Sequence, residues 1–111
     1  GKLIQSLNGI PKNDLSIFVT HYPDLIENSE IKEFEPDLYC AGHTHGGQVA
    51  MPIYGALVTF SKLGKKYEGG TYQVGKTTLN VNRGIGMEGG ITPRVRFWAR
   101  PEVTVIDIVS N

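Results

Sequence analysis

The stretch Asp37-Leu38-Tyr39-Cys40-Ala41-Gly42-His43-Thr44-His45-Gly46-Gly47-Gln48 decides the reading of this chain. A short apolar run bounded by Pro36-Asp37 and by Gly42 is a buried strand, and the glycines that follow let the backbone turn sharply. The strand therefore hands a His-Thr-His triplet to a turn at its carboxyl end. A second stretch, Leu15-Ser16-Ile17-Phe18-Val19-Thr20-His21-Tyr22-Pro23-Asp24, repeats the arrangement: a buried strand, then a histidine, then turn chemistry. All three histidines of the chain thus sit immediately after predicted strands.

Between these strands, Leu25, Ile26, Ile31 and Phe34 share one helical face interrupted by polar residues, which predicts a short helix stopped at Pro36-Asp37. Residues 46–66 read as loop, punctuated by Gly46, Gly47, Pro52, Gly55 and Gly64, with 57–60 as a short apolar segment. Gly70-Thr71-Tyr72-Gln73-Val74 and Thr77-Thr78-Leu79-Asn80-Val81, joined by Gly75-Lys76, predict an antiparallel hairpin. A glycine-rich loop over 82–93 and a basic, aromatic stretch over 94–100 lead to a last run, 102–109. Its apolar residues fall on both faces, which predicts a strand covered on both sides.

The chain has 111 residues, 11 Lys+Arg, 11 Asp+Glu and one Cys, enough for one domain spanning 1–111. Zero formal net charge gives no general attraction for nucleic acid, so none is expected as a partner, and any phosphate-binding surface must be local. A single cysteine excludes an intrachain disulfide. No apolar run approaches the ~20 residues of a membrane-spanning helix. Localisation stays open between cytoplasmic and membrane-associated.

A His-X-His in a glycine turn, taken alone, reads equally well as an exposed loop. The third histidine at a second strand end moves the balance toward a ligand site. His43 and His45 are read as facing two neighbouring ions rather than sharing one; an extended segment would put side chains at i and i+2 on one face, so this expectation needs the backbone to turn between them. Among the other candidates, Arg83 opens the glycine loop Gly84-Ile85-Gly86 and could hold a phosphate bidentately, although most arginines are solvated surface residues. Phe97 and Trp98 precede an apolar run and read more readily as core than as a contact wall. Cys40 reads as a small buried hydrophobe.

The segments Val19 to Asp24 and Asp37 to Gln48, with the late Asn82-Arg83-Gly84-Ile85-Gly86 and Arg100-Pro101-Glu102-Val103-Thr104-Val105-Ile106, resemble the carboxyl-terminal half of calcineurin-like metallophosphoesterases, in particular the YkuE-like bacterial phosphohydrolases. The resemblance implies an α+β fold: half of a four-layer α/β/β/α sandwich, mainly β with one or two short helices. It further implies hydrolysis of phosphoester or pyrophosphate bonds by two divalent ions of manganese, iron or zinc, with His21 and His43 on one ion and His45 on the other. Phosphorylated small molecules or lipid-linked phosphates are the implied substrates. The family's Asp-X-His, Gly-Asp-X-X-Asp and Gly-Asn-His-Asp/Glu motifs are absent. On this reading the chain is a truncated domain whose site is half built: it holds no catalytic residue of its own, is inactive, and takes metal weakly or not at all. Its natural partner is the amino-terminal half of the same protein, and its uncovered sheet edge invites self-association. The contrasting expectation is a non-catalytic structural or interaction module on the same fold.

Overall fold

The computed structural model describes residues 9–11, 13–47, 49–51, 53, 55–56, 62, 65–87 and 95–109. The 57–60 segment, Gln48 and Arg94 lie outside them. Strands β1 (Ile17–Val19), β2 (Leu38–Ala41), β5 (Gly70–Val74) and β6 (Thr77–Val81) form one mixed sheet in the order β1-β2-β6-β5, while β3 (Ala50–Met51) and β4 (Gly55–Ala56) pair as a separate two-stranded ribbon. β1, β2 and β6 run parallel, and β5 returns antiparallel to β6. With one short α-helix and two 3-10 turns among the described residues, the architecture is α+β, as expected.

The register explains the core. Phe18, Tyr39, Leu79 and Tyr72 occupy neighbouring positions across the four strands and so share a face, with Ala41 and Val81 one step further on. Ile26, Ile31 and Tyr67 close over that face, and the resulting cluster is shielded from water. Burial of this one row holds the sheet together, and truncating a fully buried member such as Leu79 to Ala costs ~2–5 kcal/mol.

Helix formation is more local than the apolar pattern suggests. The segment after β1 splits into a 3-10 turn (Pro23–Glu27) and helix α1 (Ser29–Phe34). The break falls at Asn28, whose backbone is extended (φ −66°, ψ 137°) and whose side chain accepts a hydrogen bond from the Glu30 amide at 2.8 Å. Asn28 is thus an N-cap that starts a new helix rather than an interior residue of one long helix. Glu35, in the left-handed conformation, ends α1 before Pro36.

The hairpin follows its turn chemistry, with Gly75 at φ +59°, where only glycine is unstrained. Two expected strands require correction. The first is shorter than 15–20 and is not buried: Ile17 and Val19 point away from the core and are exposed, and only Phe18 faces inward. β1 is an edge strand, and among the described residues nothing covers its outer face. The 102–109 run is not a strand and is largely exposed, with Val103 and Val105 80% and 83% accessible and only Glu102 and Thr104 partly buried. β-branched composition favours an extended backbone but cannot supply a pairing partner. The run is tethered instead near its start, where the Glu102 amide donates to the Gly84 carbonyl and Asn82 Nδ2 donates to Thr104 Oγ1 at 2.8 Å. Phe97 and Trp98 are likewise exposed rather than core.

Candidate functional site at the carboxyl edge of the sheet

Because β1, β2 and β6 are parallel neighbours, their carboxyl ends lie along one edge. Hydrogen bonding continues past the strand ends: Thr20 N to Cys40 O at 3.0 Å, Gly42 N to His21 O at 3.2 Å and Asn82 N to Ala41 O at 2.8 Å. This extended ladder sets His21, Gly42-His43 and Asn82-Arg83 side by side. The crevice beyond the carboxyl ends of parallel strands is where open sheets commonly bind ligands.

His21 and His43 meet there. His21 Nε2 and His43 Nδ1 are 2.9 Å apart, with ring centroids separated by 4.6 Å. Tyr22 packs edge-on against both rings, at 4.8 Å from His21 and 4.5 Å from His43. Its carbonyl is held by the hydroxyl of fully buried Tyr39 at 2.8 Å. Burial, with the Asp24 charge adding to it, keeps that hydroxyl protonated far above neutral pH, so it is a permanent donor. Tyr22 carried no functional signal in the sequence beyond its place between His21 and Pro23.

The His43-Thr44-His45 turn is unusual in its backbone. His43 and His45 both adopt positive φ, at +67° and +49°. Non-glycine residues rarely sit there, and they persist only where the surroundings over-determine them. Thr44 supplies part of that determination: it is fully buried, its Oγ1 donates to the Glu68 carbonyl at 2.8 Å, and its own carbonyl accepts from Gly47 N at 2.7 Å. His45 opens a 3-10 turn (His45–Gly47), and its Nδ1 is closed off from solvent.

The spacing of His21 and His43 can be set against that of two ligands on one metal ion. Two nitrogens at a ligand distance of ~2.0–2.1 Å stand ~2.9 Å apart at a right angle and ~3.4 Å apart at a tetrahedral angle. The observed spacing meets the first value directly and the second after a shift of about half an ångström, well within side-chain motion. Among the described residues no group of three or more His, Cys, Asp or Glu is gathered tightly enough to hold an ion. Asp24 does not add to the pair: its Oδ2 accepts from the Lys62 amide at 2.8 Å.

Arg83 leaves β6 on the same edge but turns toward Glu102. Its amide donates to Glu102 Oε2 at 3.3 Å and its Nε lies 3.9 Å from the same oxygen. The side chain also packs over Gly69, where a Cβ would come within 2.9 Å of Nε. Cys40 is half-buried in β2, and burial pushes its thiol pKa up, which suits an inert strand residue.

Comparison with known proteins finds relatives by sequence. The chain is 41% identical over 96 residues to the uncharacterized metallophosphoesterase YkuE of Bacillus subtilis, covering 86% of this chain. The chain is a relative of the bacterial metallophosphoesterases. It is also 35% identical over 95 residues to the phosphodiesterase YaeI of Escherichia coli and 35% identical over 94 residues to the uncharacterized metallophosphoesterase Cj0846 of Campylobacter jejuni, covering 84% of this chain in each case. The chain spans about a third of the length of the first two relatives (32% each) and 22% of the third. No family model matches the chain, and no solved structure matches it significantly. Metallophosphoesterases as a class use divalent metal ions.

Proposed function

We propose that the intact protein hydrolyses phosphoester or pyrophosphate bonds using two divalent ions at the carboxyl edge of this sheet, and that the present chain supplies the histidine side of the site. His21 and His43 hold one ion, His45 helps to hold the other, and Arg83 contacts a substrate phosphate once released from Glu102. The ions activate water and neutralise charge on the phosphoryl oxygens. Binding requires neutral imidazoles with a lone pair on both facing nitrogens, so whichever ring donates in the His21–His43 bond must carry its proton on its other nitrogen when the ion is held. The single observation that carries the reading is the 2.9 Å approach of His21 Nε2 and His43 Nδ1 at the ends of adjacent parallel strands.

Three uncharged imidazoles cannot alone balance two divalent cations, so acidic donors and the bridging ligand come from other parts of the protein. By itself the chain is inactive and binds metal weakly. The exposed outer face of β1 is where the second sheet of a four-layer sandwich would pack. Substrates are phosphorylated small molecules or lipid-linked phosphates. The test is turnover of p-nitrophenyl phosphate and of its bis-aryl diester by the intact protein with manganese. Activity lost on chelation, and lowered at least ~100-fold in His21→Ala and His43→Ala, is expected; no turnover with manganese, zinc or iron discards the reading.

A second reading is favoured by the lack of any three-donor group among the described residues: a non-catalytic unit that keeps the fold for structure or interaction. Mixing this chain with the amino-terminal part of the protein separates the two, because only an enzyme regains activity.

A further inference from the structure

Arg96 belongs, by sequence, to a loose group of basic residues in the carboxyl third, yet its guanidinium is spent on main-chain carbonyls. Nε and Nη2 both donate to the Gly86 carbonyl, at 2.9 and 2.6 Å, and Nη2 also reaches the Arg83 carbonyl at 2.7 Å. Nη1 donates to the Ala99 carbonyl at 3.0 Å and to the His45 carbonyl at 3.3 Å. Four carbonyls on three segments are therefore gathered by one planar fork, which no other side chain can do from a single point. The segments are the turn after β2, the loop after β6 and the stretch preceding Arg100. The first two border the histidine edge.

We propose that Arg96 is the positioning residue of this edge: its bond to the His45 carbonyl holds His45 in its left-handed conformation, fixing the direction of the imidazole, and its bonds to Arg83 and Gly86 lock that turn to the loop leaving β6. A left-handed non-glycine residue relaxes to ordinary backbone unless its neighbours forbid it. Thr44 restrains the turn from one side, through the Glu68 carbonyl, and Arg96 from the other. A relaxed His45 would swing its ring with the backbone, because χ1 is measured from the main chain. The metal-binding consequence rests on the function proposed above; the positioning itself does not.

The experiment uses the intact protein with 15N-labelled histidines, His45 being assigned from His45→Gln, and compares Arg96→Ala, Arg96→Lys and a control, Tyr67→Phe. The control removes a hydrogen bond to Glu27, a residue outside the histidine edge, so it destabilises without touching His45. Arg96→Ala is expected to shift and broaden the His45 ring resonances while leaving those of His21 and His43 in place. In calorimetric titration with zinc, the binding step that His45→Gln abolishes should weaken ~10–100-fold in Arg96→Ala, the usual effect of losing a group that orients a ligand. Arg96→Lys keeps the charge without the fork, and should weaken that step by roughly 3–10-fold. If Arg96→Ala does not fold, the lysine variant decides: wild-type His45 resonances and zinc affinity in it would overturn the proposal. Equal effects from Tyr67→Phe would overturn it too, by showing general loosening. If the wild-type protein takes up no zinc while His45 still responds to Arg96, the metal reading falls and the positioning role stands.

Discussion

Replacing Glu27 with glutamine removes the charge at the centre of a four-residue cluster. One carboxylate oxygen accepts from Lys32 Nζ at 2.5 Å; the other accepts from Lys66 and from the hydroxyl of core residue Tyr67 at 2.6 Å. These hydrogen bonds, those of Lys32 and Lys66 foremost, lower the Glu27 pKa from 4.5 to about 2. At ~1.36 kcal/mol per pH unit that shift sets a ceiling of roughly 3 kcal/mol on the stability the ionised carboxylate contributes. Both lysines are about half exposed, and solvent screening brings the expected loss for Glu27→Gln to about 1–2 kcal/mol at neutral pH. The folded pKa lies below the unfolded one, so the contribution is fully present above 4.5 and disappears as pH falls toward 2. Urea unfolding of wild type and Glu27→Gln at a series of pH values should give curves separated by a constant gap from neutrality down to about pH 5, closing below it. Moderate salt should narrow the gap. A gap that persists unchanged at pH 3, or a glutamine variant as stable as wild type at pH 7, would refute the argument.

Two further outcomes follow from the fold. Asn28→Ala removes the N-cap of α1 and should lower stability by about 1 kcal/mol, read as a drop in thermal midpoint, whereas Asn28→Asp should keep it; equal losses in both would show that the cap bond to Glu30 is not what matters. The chain studied by itself should self-associate through the exposed β1 edge and its apolar outer face, and Val19→Lys should reduce that association in sedimentation velocity; a monomer at every concentration contradicts this.

The features legible in the sequence were those set by local chemistry. β2 follows from a short apolar run stopped by glycine, and the hairpin follows from Gly75-Lys76, because a two-residue connection dictates its own register. The strand-end placement of His21 and His43 was legible, but their pairing was implied only by the family resemblance: in the parallel register Val19 faces Cys40, so His21 falls opposite Gly42 and His43 lies one residue further on. What stayed hidden depends on distant partners. The 102–109 run has strand composition, yet composition cannot say whether a neighbouring edge is available. Phe97 and Trp98 read as core for the same reason, since exposure is a property of what surrounds them. Arg96 was legible only as one of a group of basic residues, because carbonyl acceptors belong to every residue and its four acceptors become neighbours only in the folded chain. The left-handed backbone of His43 and His45 was equally invisible, although the flanking glycines marked the turn as tight.

The central claim, that the His21–His43 pair is a metal position, is tested most directly by anomalous X-ray diffraction on crystals of the intact protein grown with manganese. The account predicts an anomalous peak within ~2.0–2.3 Å of both His21 Nε2 and His43 Nδ1, with the two nitrogens opened slightly from their present contact. A fully occupied manganese elsewhere in the protein, with His21 and His43 still hydrogen-bonded to each other, would contradict it.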